Sequence, residues 1–574
     1  MKTNYSPFKI GTVFNPISKK IKNNFPIFKS IEILFPSRLN AMAVDPSKIA
    51  QNKNMIYAAG EIVFSIPIFN KIKVETIDSA DCIISETSGR KSLIKHAFYI
   101  MKKALRFERG LYIAVDNLKE IKHQGMGSSS GLLAGVCSAI NEIYGCPLSA
   151  AELLKYVAQN HGEEIDNNTS MLIPVQCIGG SAASGLYEAG VLLLLGENLV
   201  AKTMDVPEDY SVILGFPKDF KEVDSKEALK KELENMDNFT LCGKEYGGPN
   251  AYNVLHRFIP AMIESNLEIM GDVIYDYRFN MGSIKNCSFL YPGLVEICNN
   301  ISVLKKDGTA DVLSISSVGP LVFAISKDPQ RCQEIFEKEG LRTEITSIYN
   351  KKYEVIKSLK SEDVFWDNQS SFFSNKAPCE HIKNVLKNMD KKNTLCLLDV
   401  GCGGGRNLLP AIKDGFNVYG IDYSEPMLKE TRQKLKGYMS VKKIRERIFK
   451  KNILELWNIK RKFDVIIVSG VIHQAKSRKE LKKIIGSLSQ LLNNGGTLVG
   501  NIFTADYLDS DMNRIDKDVY ITKEGLHMTL ILEKEFLQIC EKNKFYPKNI
   551  SKQEIKNVGT GDRSILRFEM KKIK

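Results

Sequence analysis

The run Leu398-Asp399-Val400-Gly401-Cys402-Gly403-Gly404-Gly405 constrains this chain more than any other feature. An apolar stretch, residues 395–400, runs straight into four glycines within five positions, and a helical pattern begins near Arg406. Glycines let the backbone pass close to a ligand, and the N–H groups that open a helix are available to bind one. A turn of this kind alone fits several nucleotide-type cofactors. The next strand-like run, Val418-Tyr419-Gly420-Ile421-Asp422, ends in an acid about twenty residues on, placed to bind ribose hydroxyls.

Strand-like runs at 394–400, 417–421, 463–468 and 497–503 alternate with helical segments starting near Arg406, Pro426 and Ser477. That alternation predicts a parallel, doubly wound α/β sheet. Further turns follow in order: Tyr423-Ser424-Glu425-Pro426-Met427-Leu428, the end of Phe463-Asp464-Val465-Ile466-Ile467-Val468, and Asn493-Asn494-Gly495-Gly496. Taken together these resemble the ordered motifs of class I S-adenosylmethionine-dependent methyltransferases, over roughly residues 360–574. The resemblance implies a Rossmann-like domain that transfers methyl from S-adenosylmethionine to a small metabolite. It implies that Asp399, Gly401 and Gly403 line the methionine part of the cofactor, that Asp422 binds its ribose and that Asn452 meets the adenine. Phe365-Trp366-Asp367 resembles the lead-in helix that closes over the cofactor. His473 follows the third of these strands on the acceptor side, where it reads either as a general base or as a packing histidine.

In the first half, the segment Gln124-Gly125-Met126-Gly127-Ser128-Ser129-Ser130-Gly131 opens a long amphipathic helix. Backbone N–H groups and hydroxyls from Gly125, Gly127, Ser128, Ser129 and Ser130 would converge on an anion at the positive end of the helix dipole. The Lys-Ser/Thr pair of a Walker loop is missing. The segment resembles instead the second motif of the GHMP kinase superfamily, and Ser314 to Phe323 resembles a late glycine motif of the same superfamily. That implies a two-layer α+β domain. Within the superfamily, Phe35-Pro36-Ser37-Arg38-Leu39-Asn40, Gly180 to Gly190 and Ser316-Ser317-Val318-Gly319-Pro320 resemble motifs of the β-ribofuranosylaminobenzene 5′-phosphate synthase family, with Asn40 where that family carries His. The resemblance covers about residues 30–345. It implies phosphoribosyl transfer from phosphoribosyl pyrophosphate to an aromatic acid, with phosphates held by Arg38, Ser316, Ser317 and Gly319. Two other readings stay open. One is an ATP-dependent small-molecule kinase in which Asp166 or Glu188 serves the reacting hydroxyl. The other is a ligand-binding module without turnover. Magnesium is expected with either phosphate donor.

A chain of 574 residues is too long for one core. The expected division is a polar arm at 1–30, a GHMP-type domain at 31–348, a charged helical connector at 349–362 and the methyltransferase domain at 363–574. The formal charge of +13 is scattered rather than gathered beside aromatic residues, so it reads as solvated faces and not as a nucleic-acid footprint. Twelve cysteines without a Cys-x-x-Cys pair argue against a zinc site or a disulfide framework. The first residues lack the apolar core of a secretory signal, and the longest apolar stretch, 190–196, is too short to cross a bilayer. The expectation is a cytoplasmic enzyme acting on small molecules. Superfamily resemblance adds the expectation of a homodimer.

Overall fold

The computed structural model describes residues 6–19, 21, 24–46, 59–117, 128–165, 168–175, 177–196, 198–221, 225–390, 392–510, 512–551 and 553–573. The chain forms two compact units: residues 1–20 with 30–358, and residues 21–29 with 359–574.

The first unit is built on a long antiparallel ribbon. Phe28–Ala43 pairs with Glu61–Ile77, and register shifts at Pro36/Ser37 and Asn40/Met42 bend it. The sequence runs at 59–64 and 72–77 belong largely to one 17-residue strand, because the residues between them stay on the ladder on either side of a bulge at Pro67 and Ile68. Side chains alternate along a strand. Leu39 and Ala41 therefore enter the core with Ile62, Phe64, Leu214 and Phe323, while Arg38 and Asn40 take the opposite side. Gly110–Asn117 and Val191–Leu195 extend this sheet, and a second, four-stranded antiparallel sheet contains Val312–Ile315, Val322–Ser326, Ser211–Pro217 and Leu341–Ser347. With helices such as Lys91–Leu105 and Ser128–Ile143, the unit is α+β.

The polar arm is not a free leader. Phe8–Lys9 pairs with Asn168–Pro174, and the buried Phe8 ring sits 4.9 Å from Phe14 and 5.6 Å from His96. The connector also departs from the sequence reading. Glu354–Lys360 is a strand joined to the edge of the ribbon, and helix starts only at Ser361. Charge spacing suggested a helix there, but sheet pairing decided the backbone of a segment whose side chains are all exposed.

In the second unit the sheet order is Ile448–Lys450, Asn417–Asp422, Cys396–Val400, Phe463–Ser469, Leu492–Thr504, Asp562–Lys572, Phe545–Ile550. The first five are parallel, and Asp562–Lys572 runs antiparallel to both neighbours. Alternate residues supply two cores. Leu398, Val400, Ile466 and Val468 pack with helices Arg478–Leu491 and Glu533–Lys542, while Leu397, Val465 and Ile467 pack with Leu408–Lys413 and Glu425–Leu435. This is a doubly wound sheet, and parallel strands place ligand sites beyond their carboxyl ends, where the glycine turn lies.

Neighbouring strands leave no room at Gly500, where a Cβ would meet the Val468 carbonyl oxygen at 1.9 Å. Gly500→Ala should cost about 1–3 kcal/mol in urea unfolding, whereas Gly437→Ala, with nothing within 4 Å of its Cβ, should be nearly neutral. Equal stability of the two variants would refute the packing account.

Candidate active sites

Each unit carries a cavity where its motifs meet. In the second unit, Gly401, Gly403 and Gly405 adopt φ of +72°, +52° and +76°, a backbone that side-chain-bearing residues seldom take. The Gly401 and Cys402 N–H groups both donate to the Ile421 carbonyl, at 2.9 and 3.0 Å, tying the turn to the next strand. Gly403 N–H donates to Asp422 Oδ2 at 2.9 Å and Ser424 N–H to Asp422 Oδ1 at 3.0 Å. Burial pushes the Asp422 carboxyl upward in pKa, and these N–H groups oppose it. Both oxygens keep lone pairs for further donors.

Asp422, Gly401, Gly403 and Asn452 line a cavity of about 720 Å³. Asn452 Oδ1 accepts from Leu454 N–H at 2.9 Å, which leaves its amide N–H₂ as the group a ligand can use. Helix Ser361–Asn368 contributes Phe365 and Trp366 to the wall, and its Asp367 accepts from Ser424 Oγ at 2.6 Å. Asp399 does not reach the wall, to which its strand contributes Val400. It lies beneath with neither carboxyl oxygen hydrogen-bonded among the described residues, and burial lifts its pKa to about 8. The expected lining role therefore passes to the backbone of the turn.

His473 lines the cavity but is only 1% exposed. Its ring stacks on Phe503 at 3.9 Å and accepts weakly from Phe503 N–H at 3.4 Å. Burial, reinforced by Arg563, lowers its pKa to about 3. So weak a base is poorly matched to proton abstraction near neutrality, which favours the packing reading over the general-base reading. Tyr423 was missed: its hydroxyl is buried without a hydrogen-bond partner among the described residues, in the cavity wall. Its position directly after Asp422 was the available signal.

In the first unit a cavity of about 290 Å³ is lined by Arg38, Asn40, Glu61, Ser128, Ser129 and Ser130, together with Ser317 and Arg278. The two quoted motifs are stitched together here. Asn40 N–H donates to Ser316 Oγ at 3.0 Å, and Ser317 N–H donates to the Asn40 carbonyl at 2.8 Å. Ser316 is thereby committed to the backbone, and neither it nor Gly319 joins the wall, so the phosphate role expected of those two is not placed in this cavity. Ser130 Oγ donates to Ser181 Oγ at 2.7 Å at the start of helix Ser128–Ile143. Gly125, Gly127 and Asp166 lie outside the described residues. Glu188 is exposed, 4.0 Å from Lys352, and is not part of the cavity, which corrects its candidacy as a catalytic acid.

Three residues here were not singled out from sequence. Glu61 accepts from Gly180 N–H at 2.6 Å and from the Asn40 side chain; burial raises its pKa while the Arg38 guanidinium lowers it. Arg278, 2% exposed, donates to the carbonyls of Ala41, Asn40 and Ile315 and to Ser314 and Ser283 hydroxyls, all neutral groups. His161 presents a buried Nδ1 without a partner among the described residues. Besides Arg38, an arginine inside the apolar pattern around Tyr277 was a sequence hint to the cavity's charge. Among the described residues no group of three His, Cys, Asp or Glu side chains could hold a metal, and no helix is long and apolar enough to cross a membrane.

Residues 92–180 match the family model of the GHMP kinases N terminal domain, and residues 398–498 match that of a methyltransferase domain. A homoserine kinase of Methanococcus maripaludis is 24% identical over 230 residues, 40% of this chain and 66% of that protein. An mRNA cap guanine-N(7) methyltransferase of Schizosaccharomyces pombe is 29% identical over 123 residues, 20% of this chain and 33% of that protein. The chain thus spans less than two thirds of the length of each. A solved S-adenosylmethionine-dependent methyltransferase from Clostridium acetobutylicum aligns with TM-score 0.28 and 16% identity over 37% of this chain and 99% of its own.

Asp399 gives a direct test. Burial lifts its carboxyl from the ordinary value of 3.8 to about 8, so this group's contribution to the stability of the unliganded protein is most favourable below pH 3.8 and falls as pH rises toward about 8. The slope at its steepest is about 1.4 kcal/mol per pH unit. In urea unfolding followed by tryptophan fluorescence, the wild type should lose stability with this slope relative to Asp399→Asn as pH rises from 3.8 toward about 8, the other groups being common to both. Identical slopes would refute it.

Proposed function

We propose, for a chain that joins a GHMP kinase N-terminal domain to a methyltransferase domain, that it is a bifunctional biosynthetic enzyme acting on small metabolites. The C-terminal unit uses S-adenosylmethionine. The observation that supports this most is Asp422, whose carboxylate braces the glycine turn and still has acceptor capacity toward the cavity. S-adenosylmethionine would supply an activated methyl group on a sulfonium. Asp422 would accept from the ribose hydroxyls, the turn would approach the methionine part, and the Asn452 amide and Tyr423 would face the base. Phe365 and Trp366 would exclude water, so that the protein's main contribution is alignment of the acceptor. Calorimetry should find that Asp422→Ala weakens S-adenosylhomocysteine binding about a hundredfold, close to 3 kcal/mol for two hydrogen bonds to a charged group. Unchanged affinity would sink this assignment.

For the N-terminal unit we favour phosphoryl transfer from ATP to a small hydroxyl-bearing molecule. The homoserine-kinase likeness over 230 residues supports it, as does a cavity that sets serines at a helix start across from Arg38 and Arg278. Arg38 would stabilise charge on the moving phosphoryl group, and Arg278 would recognise an anionic substituent. Magnesium would enter bound to the nucleotide phosphates. Phosphoribosyl transfer remains the second reading, favoured by the hydrogen-bonded junction between the Arg38–Asn40 and Ser316–Pro320 motifs. Supplying γ-labelled ATP, or phosphoribosyl pyrophosphate with aromatic acids, separates the two. The kinase reading expects label on an acceptor, and Arg38→Gln should lower kcat at least about a hundredfold. Consumption of phosphoribosyl pyrophosphate without ATP would replace it with the synthase reading.

A further inference from the structure

The methyltransferase cavity is unbalanced in charge. Seven lysines and arginines line it against four carboxylates. Several of these cations are already engaged. Lys476 lies 3.6 Å from Glu362, Arg567 lies 2.7 Å from Glu554, and Lys451 donates to the Asn458 side chain. Lys360 and Lys451 also make no ion pair with a carboxylate among the described residues, but Lys376, Arg406 and Lys556 are the ones that stand together beside the aromatic wall. Arg406 directly follows the glycine turn and donates to Ser469 Oγ at 3.2 Å. Lys376 stands over the Phe372 and Phe373 rings, 4.4 and 4.7 Å from their centroids. Lys556 enters from the strand Glu554–Asn557. Among the described residues no carboxylate forms an ion pair with any of the three. They are close enough together that Arg406 and Lys556, after burial, depress the Lys376 pKa.

Lys556 is exposed and Lys376 and Arg406 are half-buried, so water screens part of their repulsion, and an anion placed among them would relieve the rest. The proposed cofactor does not correct the imbalance, since its sulfonium and ammonium outweigh its single carboxylate. The surplus is therefore left for an anionic group on the other substrate. The same part of the wall is aromatic: Phe365, Trp366, Phe372 and Phe373, with Phe503 beyond. Flat apolar faces stack on planar rings, and cations at their edge take an acid group attached to such a ring.

We propose that Lys376, Arg406 and Lys556 form the anion subsite of the methyl acceptor, and that the acceptor is a planar molecule bearing a carboxylate. The inference rests on the methyltransferase reading and adds the substrate class to it. The alternative source of the same chemistry is the carboxylate of the cofactor itself, and the experiment separates the two.

Trp366 lies in the wall, and the chain's other tryptophan, Trp457, is 65% exposed and outside it. Trp457→Phe therefore leaves a single reporter in the cavity. In that background, the full chain is first titrated with S-adenosylhomocysteine by calorimetry, then saturated with it and titrated with benzoate or its neutral counterpart benzamide while Trp366 emission is followed. Benzoate should bind at least about tenfold more tightly than benzamide, a difference of about 1.4 kcal/mol. Lys556→Gln and Lys376→Gln should each weaken benzoate several-fold, leaving benzamide and S-adenosylhomocysteine unchanged. Benzoate binding no tighter than benzamide overturns the proposal. So does a loss of S-adenosylhomocysteine affinity as large as the loss for benzoate, which would assign the cluster to the cofactor. If S-adenosylhomocysteine fails to bind at all, the methyltransferase reading falls and takes the inference with it; if only benzoate fails, the inference falls alone.

Discussion

The Glu61 carboxylate, 3% exposed, ties together three segments far apart in sequence. One oxygen accepts from Gly180 at the start of a helix, the other from the Asn40 side chain, and the Arg38 guanidinium balances its charge. Asn40 in turn fixes the loop of Ser316 and Ser317 through its own backbone. Removing the carboxylate from such a set leaves the Gly180 N–H and the Asn40 side chain without their acceptor, which costs more than either bond contributes. The shape of the first cavity therefore depends on this junction. Arg278, also in the wall, donates to carbonyls, hydroxyls and the Cys287 sulfur. The same wall carries Glu61, Glu163 and Glu232 beside Arg38 and Arg278, so the cavity sets charges of both signs around whatever occupies it.

The second unit solves a different problem with the same rule. A parallel sheet covered on both faces presents its functional groups only at the ends of its strands. Asp399 and Asp422 occupy neighbouring strand ends yet differ in state. Asp422 is met by two N–H groups from the turn and the following residue; Asp399 has no such donors and titrates near pH 8. One acid is thus kept ready to accept hydrogen bonds while the other is largely uncharged at neutrality. The glycine turn separates them, and its positive φ values are what bring Gly403 N–H within reach of Asp422.

Much of this arrangement was legible in the chain. The glycine run, the acid ending the next strand and the strand–helix alternation are local patterns, and each was placed within a few residues. Hydrophobic periodicity failed where pairing outweighed it. Residues 354–360 look like a charged helix but lie at a sheet edge, and residues 61–77 look like two strands but form one. Single functional residues fared worse. Glu188 carries the right chemistry in a motif-like segment and is exposed, while His473 follows the right strand and is buried against Phe503 until it is barely basic.

The sequence by itself determined the two fold classes, the parallel sheet with its cofactor turn, and the acid at position 422. These follow from backbone requirements, glycine conformations and periodicities of two and 3.6 residues, which neighbouring residues express directly. Tertiary structure decided which charges stand together. Glu61, Asn40 and Gly180 come from three elements, and Lys376, Arg406 and Lys556 from three others, so no spacing in the chain announces either group. Their pairing, burial and surplus charge exist only once distant strands close the cavities around them.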